Sequence, residues 1–201
     1  MYRYAITDGS VSFAGGNDLA QALARRCAEL AREGVEFILV REKQLSAGEL
    51  ASVCRDVLGT ARASGAGTKV LVAGRVDVAV AVGADGVNLS GGVGELTVSQ
   101  VRMVMPGAFV SISCHTVEDV VRARETGADA VLFGPVFGKT VDGKEVVAGV
   151  GLEALREACG AAGEMPVFAL GGVSAGNSAG CLECGAAGVA GIRMFFASPR
   201  N

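Results

Sequence analysis

The chain has 201 residues, of which 50% are hydrophobic, 5% aromatic and 30 glycine; it lacks tryptophan and carries a formal net charge of −3. This is enough apolar material for one large core, so a single domain over residues 1–201 is expected. Basic and acidic residues are interspersed without a Lys/Arg run, which speaks against nucleic acid as a partner, and no apolar stretch reaches the roughly 18 residues of a membrane span. With no leader pattern at the start, a cytoplasmic location is expected.

Residues 2–6 read as a first strand, followed by a glycine-rich loop over 9–16 and a helix capped by Asn17 or Asp18 that runs to Arg32. Residues 36–40 form the second strand. Ser46 and Glu49 have the spacing of a capping box, opening a helix that continues towards Ser64. A third strand over 69–72, a short helix over 76–82 and a fourth strand over 86–89 follow. The loop at 90–95 is glycine-rich, and Thr97 opens the next helix.

Strand five covers 110–113, and Thr116 with Glu118 and Asp119 begins a helix ending at Gly127. Strand six is 130–133. The segment 134–150 is too polar to be core and reads as a lid loop. A helix over 151–161, a strand over 167–170, a helix over 174–184 and a strand over 189–192 complete the series. Only residues 193–201 remain for a last helix.

Four times the helix-to-strand joint repeats: Gly34-Val35-Glu36, Gly83-Ala84-Asp85, Gly127-Ala128-Asp129 and Gly185-Ala186-Ala187. Glycine supplies the left-handed residue that ends a helix, and the apolar run after it starts a buried strand. Eight such strands alternating with helices point to an α/β (β/α)8 TIM barrel with a truncated last helix, an open doubly wound sheet being the rival. In a barrel, chemistry belongs just after each strand.

Five places there carry suitable groups. Arg41 and Lys43 follow strand two, aimed to one side as cationic donors with Glu42 turned away; the bland alternative is a solvated charged turn. His115, the chain's one histidine, follows strand five and suits proton exchange near neutral pH, or else brackets a helix cap. Cys114 beside it lacks an aimed base. Gly171 and Gly172 with the helix start after Ser174, and Ile192 with Arg193, suit an anion pocket, unless the glycines serve packing alone. Lys139 and Lys144 on the lid are equivalent candidates for an anionic ligand. Cys181 and Cys184 have half the spacing of a zinc site but no second pair, so packing is expected and no metal site is assigned. Most of the six cysteines, the others being Cys27, Cys54 and Cys159, are expected as buried small hydrophobes.

Read in order, Tyr4-Ala5-Ile6-Thr7-Asp8, Val40-Arg41-Glu42-Lys43, Gly74-Arg75-Val76-Asp77, Gly83-Ala84-Asp85-Gly86-Val87, His115-Thr116, Gly134-Pro135-Val136-Phe137 and Gly171-Gly172-Val173 resemble the family of thiamine phosphate synthase and thiazole tautomerase. The resemblance implies a phosphate-binding barrel acting on a phosphorylated thiazole. The synthase pattern places an Asn-Asp pair after strand three and an Asp after strand four to hold Mg²⁺ on a leaving diphosphate. This chain has Ala73-Gly74 and Ser90-Gly91-Gly92-Val93 there, with no carboxylate until Glu95. The tautomerase branch needs no metal or other cofactor and resembles the chain at these positions, so His115 moving a proton is the main expectation. The alternatives are a synthase, with Mg²⁺ held weakly through Glu95 or water, and a non-catalytic binder of the thiazole or thiamine phosphate. Arg193 stands where the family often has serine. Apolar surface at Phe195 and Phe196, left by the short last helix, predicts a homodimer.

Overall fold

The four glycine joints explain why strands and helices alternate. In the computed structural model, which describes residues 1–9, 19–92, 94–141 and 144–196, each joint glycine is left-handed. The φ values are 80° at Gly34, 66° at Gly83, 77° at Gly127 and 99° at Gly185. Each glycine N–H donates to the carbonyl three residues back, at Ala31, Val80, Arg124 and Leu182, while the next N–H donates to Leu30, Ala79, Ala123 and Cys181. This paired closure satisfies the last helical carbonyls and stops the helix. The chain is then released directly into a strand.

The strands are β1 (Tyr2–Ile6), β2 (Phe37–Val40), β3 (Lys69–Ala73), β4 (Gly86–Leu89), β5 (Phe109–Cys114), β6 (Ala130–Phe133), β7 (Lys139–Val141), β8 (Lys144–Val147), β9 (Val167–Ala169) and β10 (Gly188–Gly191). Eight of them close a barrel in the order β1-β10-β9-β6-β5-β4-β3-β2. The expected (β/α)8 fold is therefore present. The helices between them are α1 (Leu19–Arg32), α2 (Ala47–Ala63), α3 (Val76–Val82), α4 (Val98–Val104), α5 (Val117–Glu125), α6 (Gly151–Ala162), α7 (Ser178–Glu183) and α8 (Arg193–Phe196).

By packing, the chain divides into two units, one of Met1–Arg3 with Asn88–Gly191 and one of Tyr4–Val87 with Ile192–Asn201. In the second unit β2 pairs in parallel with β1 and β3, with Ile38 opposite Ala5 and Val70. Tyr4 stacks on Phe37 at 5.3 Å, and α2 starts on the expected capping box of Ser46 and Glu49. Asp85 closes the joint after α3: its N–H donates to the Val70 carbonyl, and its carboxylate accepts the Val70 N–H.

The first unit repeats that device. Asp129 exchanges the same two bonds with Val110, and Arg102 grips its carboxylate at 3.0 Å to both oxygens. Here β6 runs in parallel between β5 and β9, and β9 pairs with β10. Strands such as β4, β6 and β10 are buried throughout, which matches their apolar runs.

Three expectations need correction. Segment 134–150 is not a bare loop: it holds the antiparallel ribbon of β7 and β8, with Val141 opposite Lys144. The alternation of Lys139-Thr140-Val141 and Lys144-Glu145-Val146 around Asp142-Gly143 is a hairpin signal that polarity masks. The helix expected from Ser174 starts at Ser178, because the Asn177 side chain accepts the Ser174 N–H and donates to the Gly172 carbonyl, holding a turn instead. Phe195 and Phe196 are buried rather than exposed, with Arg26 Nε donating to the Phe195 carbonyl at 2.9 Å. Their surface therefore gives no ground for a dimer. The expected caps Asn17 and Asp18, and most of the loop over 9–16, lie outside the described residues.

Candidate active site

His115 follows the last residue of β5 and precedes α5. Asp119 fixes its main chain by accepting N–H bonds from His115 at 2.9 Å and Thr116 at 3.0 Å, and Arg122 pairs with the same carboxylate. Partial burial works to raise the Asp119 pKa, but these N–H donors, the Thr116 hydroxyl and Arg122 outweigh it and leave the carboxyl below its ordinary range. The ring is placed by one further contact, Nδ1 to the Gly134 carbonyl at 2.6 Å. His115 itself is exposed.

Gly134 opens a strap bound along the turn after β9. Val136 N–H donates to the Leu170 carbonyl and Phe137 N–H to the Gly171 carbonyl, while Val150 and Gly151 donate back to Pro135 and Val136 and close the base of the ribbon. Gly171 and Gly172 are left-handed, at φ 91° and 67°, and side chains there would strike Pro135 and Phe137. Part of their role is thus to admit the strap. Among the described residues, however, no protein atom accepts the N–H groups of Gly171, Gly172 or Val173. Consecutive unclaimed N–H groups are the donors an anion requires. The helix start assigned to that pocket is not available, since Asn177 takes the Ser174 N–H.

On β5, the strand that leads up to His115, Ser111 and Ser113 meet Asn88 of β4. Ser111 Oγ donates to Asn88 Oδ1 at 2.9 Å, and Asn88 Nδ2 donates to Ser113 Oγ at 3.1 Å. This polar trio, buried at Ser111 and Asn88 and half-buried at Ser113, was not singled out from sequence, although the period-two serines of β5 leading up to His115 are its signal.

The other unit holds Arg41, Lys43, Ile192 and Arg193. Arg41 is half-buried, its N–H donating to Thr7 Oγ1 at 2.9 Å and its guanidinium 3.6 Å from Asp8. Lys43 is exposed, as is Arg193, whereas Ile192 is half-buried. Glu42, which the sequence pattern merely turns away, is 3% exposed; Gln44 donates to one carboxylate oxygen, and the other has no hydrogen-bond partner among the described residues. Lys139 and Lys144 begin β7 and β8 of the first unit, and their side chains lie outside what is described.

Cys114 is buried, and burial pushes its thiol up to about 12, which suits packing rather than attack. Cys181 and Cys184 are likewise buried and free.

Among the described residues, the donors at the two places where the resemblance implies Mg²⁺ ligands do not fit that ion. After β3 stand Ala73 and Gly74, and the nearby Asp77 is held by Arg75 through both oxygens. After β4, Glu95 Oε2 already accepts the N–H groups of Ser90 at 2.7 Å and Gly91 at 3.2 Å. Among the described residues no three His, Cys, Asp or Glu side chains gather to hold a metal ion. Nor is any helix there long and apolar enough to cross a membrane.

Comparison with known proteins agrees with the barrel and its motifs. A family model described as thiamine monophosphate synthase matches residues 4–195. The chain is 34% identical over 197 residues to the thiamine-phosphate synthase of Methanoregula boonei, covering 98% of this chain and 86% of that one. It is 33% identical over 192 residues to a putative thiamine-phosphate synthase 2 of Aquifex aeolicus, covering 96% of each. Among solved structures, a thiamine phosphate pyrophosphorylase from Pyrococcus furiosus superposes with TM-score 0.81 at 25% identity, covering 98% of this chain and 88% of that one.

Proposed function

This chain is an enzyme of the thiamine monophosphate synthase family, and on that premise we propose that it binds a phosphorylated thiazole and isomerises it by proton transfer through His115. The observation that carries this reading is the contrast in donors: a placed imidazole and, among the described residues, no carboxylate set for Mg²⁺. A diphosphate leaves poorly without a cation to neutralise its developing charge, whereas a thiazole carboxylate that is not yet aromatic needs only to lose a proton at one atom and gain one at another. Aromaticity drives that exchange. The N–H groups of Gly171 and Gly172 hold the phosphate ester. Arg41 and Lys43 are assigned an anion contact, and Ile192 and Arg193 a phosphate contact.

The second reading is the synthase itself, and the names of the relatives favour it. One pair of assays decides. Supplying Mg²⁺, pyrimidine diphosphate and thiazole phosphate should release no pyrophosphate, while the non-aromatic thiazole phosphate carboxylate should change its ultraviolet absorbance in a reaction that His115→Ala abolishes. Pyrophosphate release establishes the synthase. Tight phosphate-ester binding with neither reaction marks a binding protein.

A further inference from the structure

The geometry points to His115 being held as the Nδ1–H tautomer by the Gly134 carbonyl, which makes Nε2 the nitrogen that exchanges protons and Gly134 a positioning residue. Only the catalytic consequence rests on the proton-transfer reading above; the tautomer is a property of the free protein.

The argument starts from an oxygen that can only accept. Nδ1 lies 2.6 Å from the Gly134 carbonyl, and a carbonyl has no hydrogen to give, so the contact is a bond only when Nδ1 carries the proton. A flipped ring would put a carbon there, well inside the roughly 3.3–3.6 Å at which C–H groups meet carbonyls. In the neutral ring the lone pair is then on Nε2, which has no hydrogen-bond partner among the described residues. When the ring is protonated both nitrogens carry hydrogen and the bond to Gly134 persists. A proton therefore arrives and departs at Nε2 alone.

The carbonyl is fixed by the residue next to His115 and by a segment remote from it in sequence. Gly134 N–H donates to the Cys114 carbonyl at 3.1 Å, and a side chain at Gly134 would overlap the Leu170 carbonyl. Leu170 is itself held, donating to Phe133 and accepting from Val136. Asp119 anchors the histidine main chain from the other side. Glycine at 134 thus sets the direction of the one acceptor that orients the ring.

Because the chain has one histidine, ¹⁵N-histidine labelling gives two ring nitrogen signals that need no separation from others. With the ring neutral, a long-range ¹H–¹⁵N correlation should show Nε2 with the downfield shift of a bare nitrogen and Nδ1 with the upfield shift of a protonated one. The reverse order, or two averaged shifts, overturns the proposal, and this measurement needs no variant to fold. A folded Gly134→Ala protein should show averaged shifts and a kcat at least about tenfold lower with KM little changed; unaltered wild-type shifts in it would remove Gly134 from the role. Wild-type protein with the Nδ1–H signature but no turnover of the thiazole carboxylate sinks the isomerase reading and leaves the tautomer standing.

Discussion

Two glycine-rich turns of the same unit, one after β4 and one after β9, look alike in sequence and differ in what they leave unclaimed. In the turn at Ser90–Gly91–Gly92, Glu95 accepts two of the N–H groups and Ser90 Oγ accepts the Gly92 N–H at 3.3 Å. The turn at Gly171–Gly172–Val173 is braced from behind by strap 134–138 and by Asn177, yet its own N–H groups have no acceptor among the described residues. A glycine turn is open to an anion only when the protein's own oxygens have not filled it. The same carboxylate that closes the first turn is the one that a metal would have needed.

The contrast can be broken most severely at the base. His115→Ala should lower turnover of the thiazole carboxylate about 10²–10⁴-fold while phosphate-ester affinity, measured by calorimetry, changes little. Equal loss of binding would mean that the open turn does not hold the ligand by itself. Next in size, Gly172→Ala should destabilise the fold by about 2–4 kcal/mol, because φ is 67° and the new methyl meets Phe137 and Gly138. Gly92→Ala, whose methyl among the described residues meets only Ser90 Oγ at 3.2 Å, should cost under about 1 kcal/mol in the same denaturant titration.

Glu95→Ala sharpens the comparison from the closed side. It strips the acceptor from two N–H groups and should cost about 1 kcal/mol, comparable to losing a helix cap, with turnover unchanged and still indifferent to Mg²⁺. The smallest effect concerns acid. Since the folded Asp119 carboxyl is held below its ordinary range, its contribution is complete above that range and disappears as pH falls through the depressed value. Thermal melts of wild type and Asp119→Asn should therefore converge in acid and separate towards neutral pH; a constant gap would deny the linkage.

Much of the fold was legible because its signals are local. The capping residues Ser46, Thr97 and Thr116 act within three residues, and each joint glycine closes on carbonyls of its own helix. The ribbon of β7 and β8 was missed because its polar composition hides the alternation on either side of Asp142-Gly143. The start of α7 was missed because one amide, Asn177, competes with the backbone for Ser174. Glu42 was read by alternation alone, which says which way a side chain turns but not whether its carboxylate will find partners.

By itself the sequence determined the repeated strand and helix units, their stops and starts, and which residue types stand after each strand, since propensity, capping and apolar runs are settled within a few residues. Only the tertiary structure decided that the N–H groups of Gly171–Val173 stay unclaimed among the described residues, that Phe195 and Phe196 are buried, and which nitrogen of His115 meets an acceptor. Those outcomes depend on carbonyls and carboxylates brought in from distant segments, as when Leu170 fixes Gly134 and Gly134 fixes His115. No local pattern encodes such distances.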